Sequence, residues 1–267
     1  MNGTVFMETL RRSWRGALYW GLGFGFYALM LMLVVQDANI LKQYGEIAKA
    51  FPPALMQLFG GDVTALATPE GFLAYGFFGY LLLIFAVYAI MSGLNITAND
   101  EDQGILDVVL SLPLARMRLM LEKFLAYTLL TVFIIACAYV GLIAGLQFSA
   151  LEVDSSKLLQ STFNMLPSSL LMLAFTALAG ALFRRKGTAT AVASLFVVGS
   201  YFLNFLGEAA SSTVFEPLRQ LSFFHYYDHN GVVQHGLSWG NIGILSVVTV
   251  VCVAAALWLF ERRDVGV

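Results

Sequence analysis

Residues 71–99 read GFLAYGFFGYLLLIFAVYAIMSGLNITAN, twenty-nine positions without one Asp, Glu, Lys or Arg. A helix rises about 1.5 Å per residue, so roughly 20 apolar residues carry it across about 30 Å of hydrocarbon. A charge at mid-membrane costs about 2.5–3.5 kcal/mol on insertion scales, so an uncharged run of this length reads as a transmembrane helix. Backbone groups in lipid must be satisfied within their own segment, which requires helix; the alternation at period two that marks a barrel strand is absent.

Working outward, the same reading recurs. Residues 16–35, 124–151, 158–183 and 187–207 are also free of charge, and a last apolar run covers 242–260. The expected spans are 16–35, 72–98, 124–147, 160–183, 188–206 and 241–260, forming one transmembrane domain over 1–267. Composition agrees: 59% of the 267 residues are hydrophobic and 12% charged, against about 25% charged in soluble domains. Mean hydropathy is +0.77. Net charge is −2, with no nucleic-acid signature. Cys137 and Cys252 both lie in apolar runs, as small hydrophobes do rather than as a disulfide or zinc framework. Residues 1–15 hold Glu8, Arg11, Arg12 and Arg15 with no small-residue cleavage site after them, so the first span is expected to stay.

The cations set the orientation. One side collects Arg11, Arg12, Arg15, Arg116, Arg118, Lys123, Arg184, Arg185, Lys186, Arg262 and Arg263; the other has Lys42, Lys49, Lys157 and Arg219. The positive-inside rule then places both termini of a multi-pass protein in the cytoplasm; the expected location is a prokaryotic plasma or inner membrane. Gly21-xxx-Gly25, Gly141-xxx-Gly145 and Ala177-xxx-Ala181 are small-residue pairs that allow close helix approach, or reflect the abundance of small residues in membrane helices. Pro167 is expected to kink the fourth helix. Residues 5–14 are amphipathic, with Val5, Phe6, Leu10 and Trp14 on one face and Glu8, Arg11 and Arg12 away from it; they read as an interfacial helix on the cytoplasmic leaflet. In the first outer loop, 40–51 has helical spacing that Pro52-Pro53 ends, and 54–59 fits one more turn.

The most informative connection joins the second and third spans: Asn99-Asp100-Glu101-Asp102-Gln103-Gly104-Ile105-Leu106-Asp107-Val108-Val109-Leu110-Ser111-Leu112-Pro113-Leu114-Ala115-Arg116. Asn99 or Asp100 can cap a helix whose first turn holds three acids, as the helix dipole favours. Ile105, Leu106, Val109 and Leu110 form an apolar stripe, Pro113 ends the segment, and Arg116, Arg118 and Lys123 open the next helix. Such a short helix suits docking a second protein, or lying on the membrane with its stripe down.

This run resembles the coupling segment of ABC-2 type transporter permeases. The paired acids Asp100 and Glu101 match that pattern, as do Gly104, Leu106, Asp107, Leu110, Ser111, Pro113, Arg116 and Lys123; Ile105 stands where Thr is usual. Two weaker likenesses are the ending Phe260-Glu261-Arg262-Arg263-Asp264 and the stretch Leu221-Ser222-Phe223-Phe224-His225-Tyr226-Tyr227-Asp228, where relatives often have Pro in place of Phe223. The resemblance implies an all-α fold with a cytoplasmic coupling helix and an outer re-entrant segment over 208–239. It also implies a second permease subunit, identical or not, and a separate ATP-binding cassette ATPase docked at the coupling segment, with export the direction. Under it, Glu101 contacts the motor, Gly104 permits close approach or an unusual backbone angle, and Arg116 anchors the loop or pairs with an acid.

Other chemistries are poorly supplied. No G-x-x-x-x-G-K-[ST] phosphate loop is present, so ATP hydrolysis belongs to a partner. No cofactor is expected. No His, Asp or Glu lies mid-span to activate Ser92, Thr131, Ser194 or Ser200 as a nucleophile. His225, His229 and His235, with Asp228, could hold zinc or copper, or form an aromatic polar cap at the outer interface. An ion-coupled secondary transporter usually buries a mid-span charge, which is lacking here. A membrane anchor that recruits a cytoplasmic partner without transport remains a third class.

Overall fold

The computed structural model describes residues 3–35, 38–49, 67–99, 115–183, 185–209 and 216–262. Among these there is helix and no strand. Six helices are long and apolar enough to cross a membrane: α1 (Thr4–Val34), α3 (Pro69–Ile96), α4 (Arg116–Leu146), α5 (Ser155–Leu182), α6 (Lys186–Ala209) and α10 (Trp239–Arg262). Between them lie α2 (Ala38–Lys49), α7 (Glu216–Arg219), α8 (Phe223–Tyr227) and α9 (His229–His235). The expected break at Pro52-Pro53, the turn over 54–59 and part of the expected re-entrant stretch lie outside the described residues.

Local chemistry sets several of these starts. Thr68 caps α3, its hydroxyl accepting from Gly71 N at 3.1 Å, with Pro69 in the first turn where its missing N–H costs nothing. Asp154 caps α5, accepting from Ser156 N at 2.9 Å. Helix α5 runs unbroken through Pro167, which leaves the Phe163 carbonyl without its helical donor. In α3 the turns over Ala74–Gly79 are π-helical. Tyr27 Oη donates to Gly76 O at 2.8 Å, satisfying a carbonyl within that widened stretch.

The segment read as a separate interfacial helix is continuous with the first span. Helix α1 has 31 residues and no break between Thr4 and Val34, about 46 Å at 1.5 Å per residue. It therefore exceeds a hydrocarbon core of about 30 Å by some ten residues. Val5 and Leu10 pack against the protein core, while Met7 and Trp14 remain exposed. The amphipathic pattern thus has a protein neighbour on one flank, not lipid alone.

Two packed units organise the bundle. Helix α5 is the most buried and is the principal partner of α3, α6 and α10, whereas α1 packs chiefly along α4. Lipid tails are as apolar as Leu, so helices in lipid associate through close van der Waals packing. Gly21 and Gly25 meet the Cys137–Gly141 face: a Cβ on Gly21 would lie 3.0 Å from Cys137 Sγ, and one on Gly141 would collide with the Gly25 backbone. Two of the small-residue pairs read from the sequence therefore face each other across this interface. Gly93 and Gly180 give α3 and α5 a similar approach beside Thr176 and Thr97.

Candidate coupling site

Of the residues expected to carry coupling, Asp100, Glu101, Gly104, Leu106, Asp107, Leu110 and Pro113 lie outside the described residues; Arg116 opens α4. The site is therefore built from its two flanks, at the end of the bundle that also holds the start of α1 and the end of α10.

The upstream flank is the end of α3. The last carbonyls of a helix have no intrahelical donor and favour cations. Lys123 Nζ, from α4, donates to Asn95 O at 3.3 Å, and Lys186 Nζ, from α6, donates to Asn99 Oδ1 at 2.7 Å. Thr97, 1% exposed, donates its hydroxyl to Ala177 O of α5 at 3.3 Å. Three different helices thus hold the last turn from which residues 100–114 depart.

The downstream flank is the start of α4. Ala115 is extended (φ −63°, ψ 130°) and α4 begins at Arg116. Arg118 Nε donates to Glu122 Oε1 at 2.8 Å. The other oxygen of Glu122 accepts Val5 N at 3.1 Å and Phe6 N at 3.2 Å, and Gly3 N approaches Oε1 at 3.4 Å. A carboxylate from α4 thus caps α1, filling the anion-favouring end that Gly3, with no side chain, leaves open. Ser13 and Tyr127 hydroxyls join the two helices further along at 3.0 Å.

The sequence marks Lys123 as a pattern match and Lys186 as one of a basic cluster. The sequence does not single out Glu122. Its one local signal is an acid four residues after Arg118; its real partners lie 116–119 positions away.

At the opposite end, α8 and α9 fold over the π-helical turns of α3. Tyr227 Oη donates to Phe78 O at 3.0 Å, Asn164 donates to Tyr227 O, and Asn230 donates to Tyr75 Oη at 3.2 Å. Asp228 takes a left-handed φ of 34° and joins the two short helices, its carboxylate accepting from Gly231 N at 3.1 Å. The His229 ring stacks on Tyr227 and meets the edge of Tyr75. Burial pushes its imidazole down to about 4, with Asp228 opposing. No three His, Cys, Asp or Glu side chains converge as a metal site among the described residues. The rings of Tyr75, Tyr227 and His229 pack on one another in this cap.

Residues 4–265 match the family described as ABC-2 family transporter protein. No curated protein sequence matches the chain.

Proposed function

The chain belongs to the ABC-2 family of transporter proteins, and on that premise we propose that it is the permease subunit of an ATP-driven exporter. It forms one transmembrane domain with both termini in the cytoplasm. It pairs with a second permease subunit, and the 100–114 segment docks a separate ATP-binding cassette ATPase. Glu101 and Leu106 are the contact residues, and Gly104, Asp107, Leu110, Pro113 and Arg116 shape and anchor the segment.

The observation that carries this reading is the anchorage of both flanks. Lys123 and Lys186 hold the α3 end, and Arg118 and Glu122 tie the α4 start to α1. A connection lying idle on the surface has no need of cations from two neighbouring helices. A segment that receives force needs stiff attachments, because slack at either end would absorb the movement. The match to a transporter family and the lack of a phosphate loop in this sequence both support hydrolysis by a separate partner.

The test is recovery of the tagged chain from its host in mild detergent, with mass spectrometry and an ATPase assay. A stoichiometric P-loop ATPase is expected with the wild type, and its recovery is expected to fall at least tenfold with Glu101→Ala plus Leu106→Ala. Recovery of the chain alone would overturn the reading in favour of an ion-coupled transporter. A bound ATPase indifferent to every candidate substrate would favour a non-transporting anchor.

A further inference from the structure

The α1–α4 pair is fastened at both ends as well as along its length. At the cytoplasmic end, Glu122 accepts Val5 N and Phe6 N and is itself held by Arg118. At the far end, the Val35 carbonyl that closes α1 accepts Ala150 N and Ser149 Oγ, both at 2.9 Å, from the turn that closes α4. Between them, glycines bring the backbones together at Gly21, Gly25 and Gly141. Neither helix can slide or rotate against the other without breaking a set of contacts at each end.

Helix α4 is also what the coupling segment runs into, while the segment departs from α3, which packs on α5. The two flanks of one short segment therefore lead to helices with different principal partners, α1 for α4 and α5 for α3. The geometry points to Glu122 as a positioning residue that locks the start of α1 to the first turns of α4, so that both helices cross the membrane as one strut driven from the downstream flank of the coupling segment. This rests on the permease reading. Glu122 touches neither nucleotide nor substrate in it; the residue acts by fixing where α1 goes when α4 moves. Its side chain is 15% exposed, enough shielding for the three backbone bonds to hold against water. The Glu8–Arg12 pair on the same helix is the contrast, since both side chains are more than half exposed and link α1 only to itself.

Two measurements test the strut separately from the permease reading. In the purified chain, hydrogen exchange at Val5 and Phe6 is expected to quicken at least tenfold in Glu122→Ala and to be unchanged in Glu8→Ala. Glu122→Gln keeps one acceptor oxygen and the size of the side chain, and serves should the alanine variant not accumulate; it should fall between. In the complex with its ATPase, spin labels at Met7→Cys and Leu121→Cys, in a chain with Cys137→Ala and Cys252→Ala, should give one narrow distance with and without trapped nucleotide. Met7→Cys paired with Leu182→Cys should shift on trapping. In Glu122→Ala the first distance should broaden and transport per ATP hydrolysed fall several-fold while hydrolysis persists. Unchanged exchange and an unchanged narrow distance would overturn the latch. Lost protection with transport per ATP unchanged would overturn its role in transmission. If no ATPase accompanies the wild type, the permease reading and the transmission fall together, and the exchange result still decides whether the latch exists.

Discussion

A methyl group is enough to test the α1–α4 contact. Gly141 sits against the Gly25 backbone with no room for a Cβ, whereas a Cβ on Gly23, two residues along the same helix from Gly25, would meet nothing within 4 Å. Backbone cannot step aside as a side chain can. Gly141→Ala should therefore cost about 1–3 kcal/mol, the usual penalty of overpacking, and Gly23→Ala should stay within about 0.5 kcal/mol. Unfolding midpoints in mixed micelles would check both, and equal behaviour of the two variants would contradict the close approach. The sequence displayed the glycines at i, i+4 but could not say which faced a partner, since helix rotation is not written in composition.

Among the elements, the α8–α9 cap has a pH dependence of definite sign. The His229 imidazole is lowered from 6.5 to about 4 by burial against Tyr75, Tyr227 and the Gly79 turn, with the neighbouring Asp228 as the charged group that opposes the shift. A base held neutral in the folded state adds no pH-dependent cost above 6.5. As pH falls from 6.5 towards 4, the unfolded form takes a proton that the folded form refuses, so stability declines; below about 4 both are protonated and the loss is complete. Protection factors over residues 223–235, taken relative to the intrinsic exchange rate at each pH, should fall between pH 7 and 4.5, and His229→Phe, which keeps the ring, should flatten that dependence. An unchanged slope would assign the effect elsewhere. Helix α1 gives the complementary lesson. Its amphipathic start is visible in the sequence, but the Glu122 carboxylate that caps its first turn in place of Gly3 is not.

For the whole molecule, the distribution of Lys and Arg sets the orientation to be tested. The charge asymmetry predicts that Glu8→Cys reacts with an impermeant thiol reagent only after the membrane is opened, and that Lys157→Cys reacts in intact cells. Glu8 is exposed in the fold and Lys157 partly so, and the native cysteines lie in apolar helices. The reverse labelling pattern would place the coupling segment outside and remove the basis for a cytoplasmic motor. With the expected pattern, the lysines and the Arg118–Glu122 pair gather at the face where an ATPase would dock.

The sequence by itself determined that this chain has six apolar helices, because the absence of charge over some twenty residues is a statement about solvent and needs no contacts. It also supplied the family, through the run from Asp100 to Lys123, since paired acids, Gly, Pro and Arg at those spacings are local text. Only the tertiary structure decided which helices form units and what holds the flanks of that run. Glu122 and Val5, Lys186 and Asn99, and Gly141 and Gly25 are each separated by 87 or more positions. Such pairings depend on the rotation and depth of each helix. In a medium where every apolar face is equally content with lipid, those are set by a few close contacts and hydrogen bonds and not by the hydrophobic pattern.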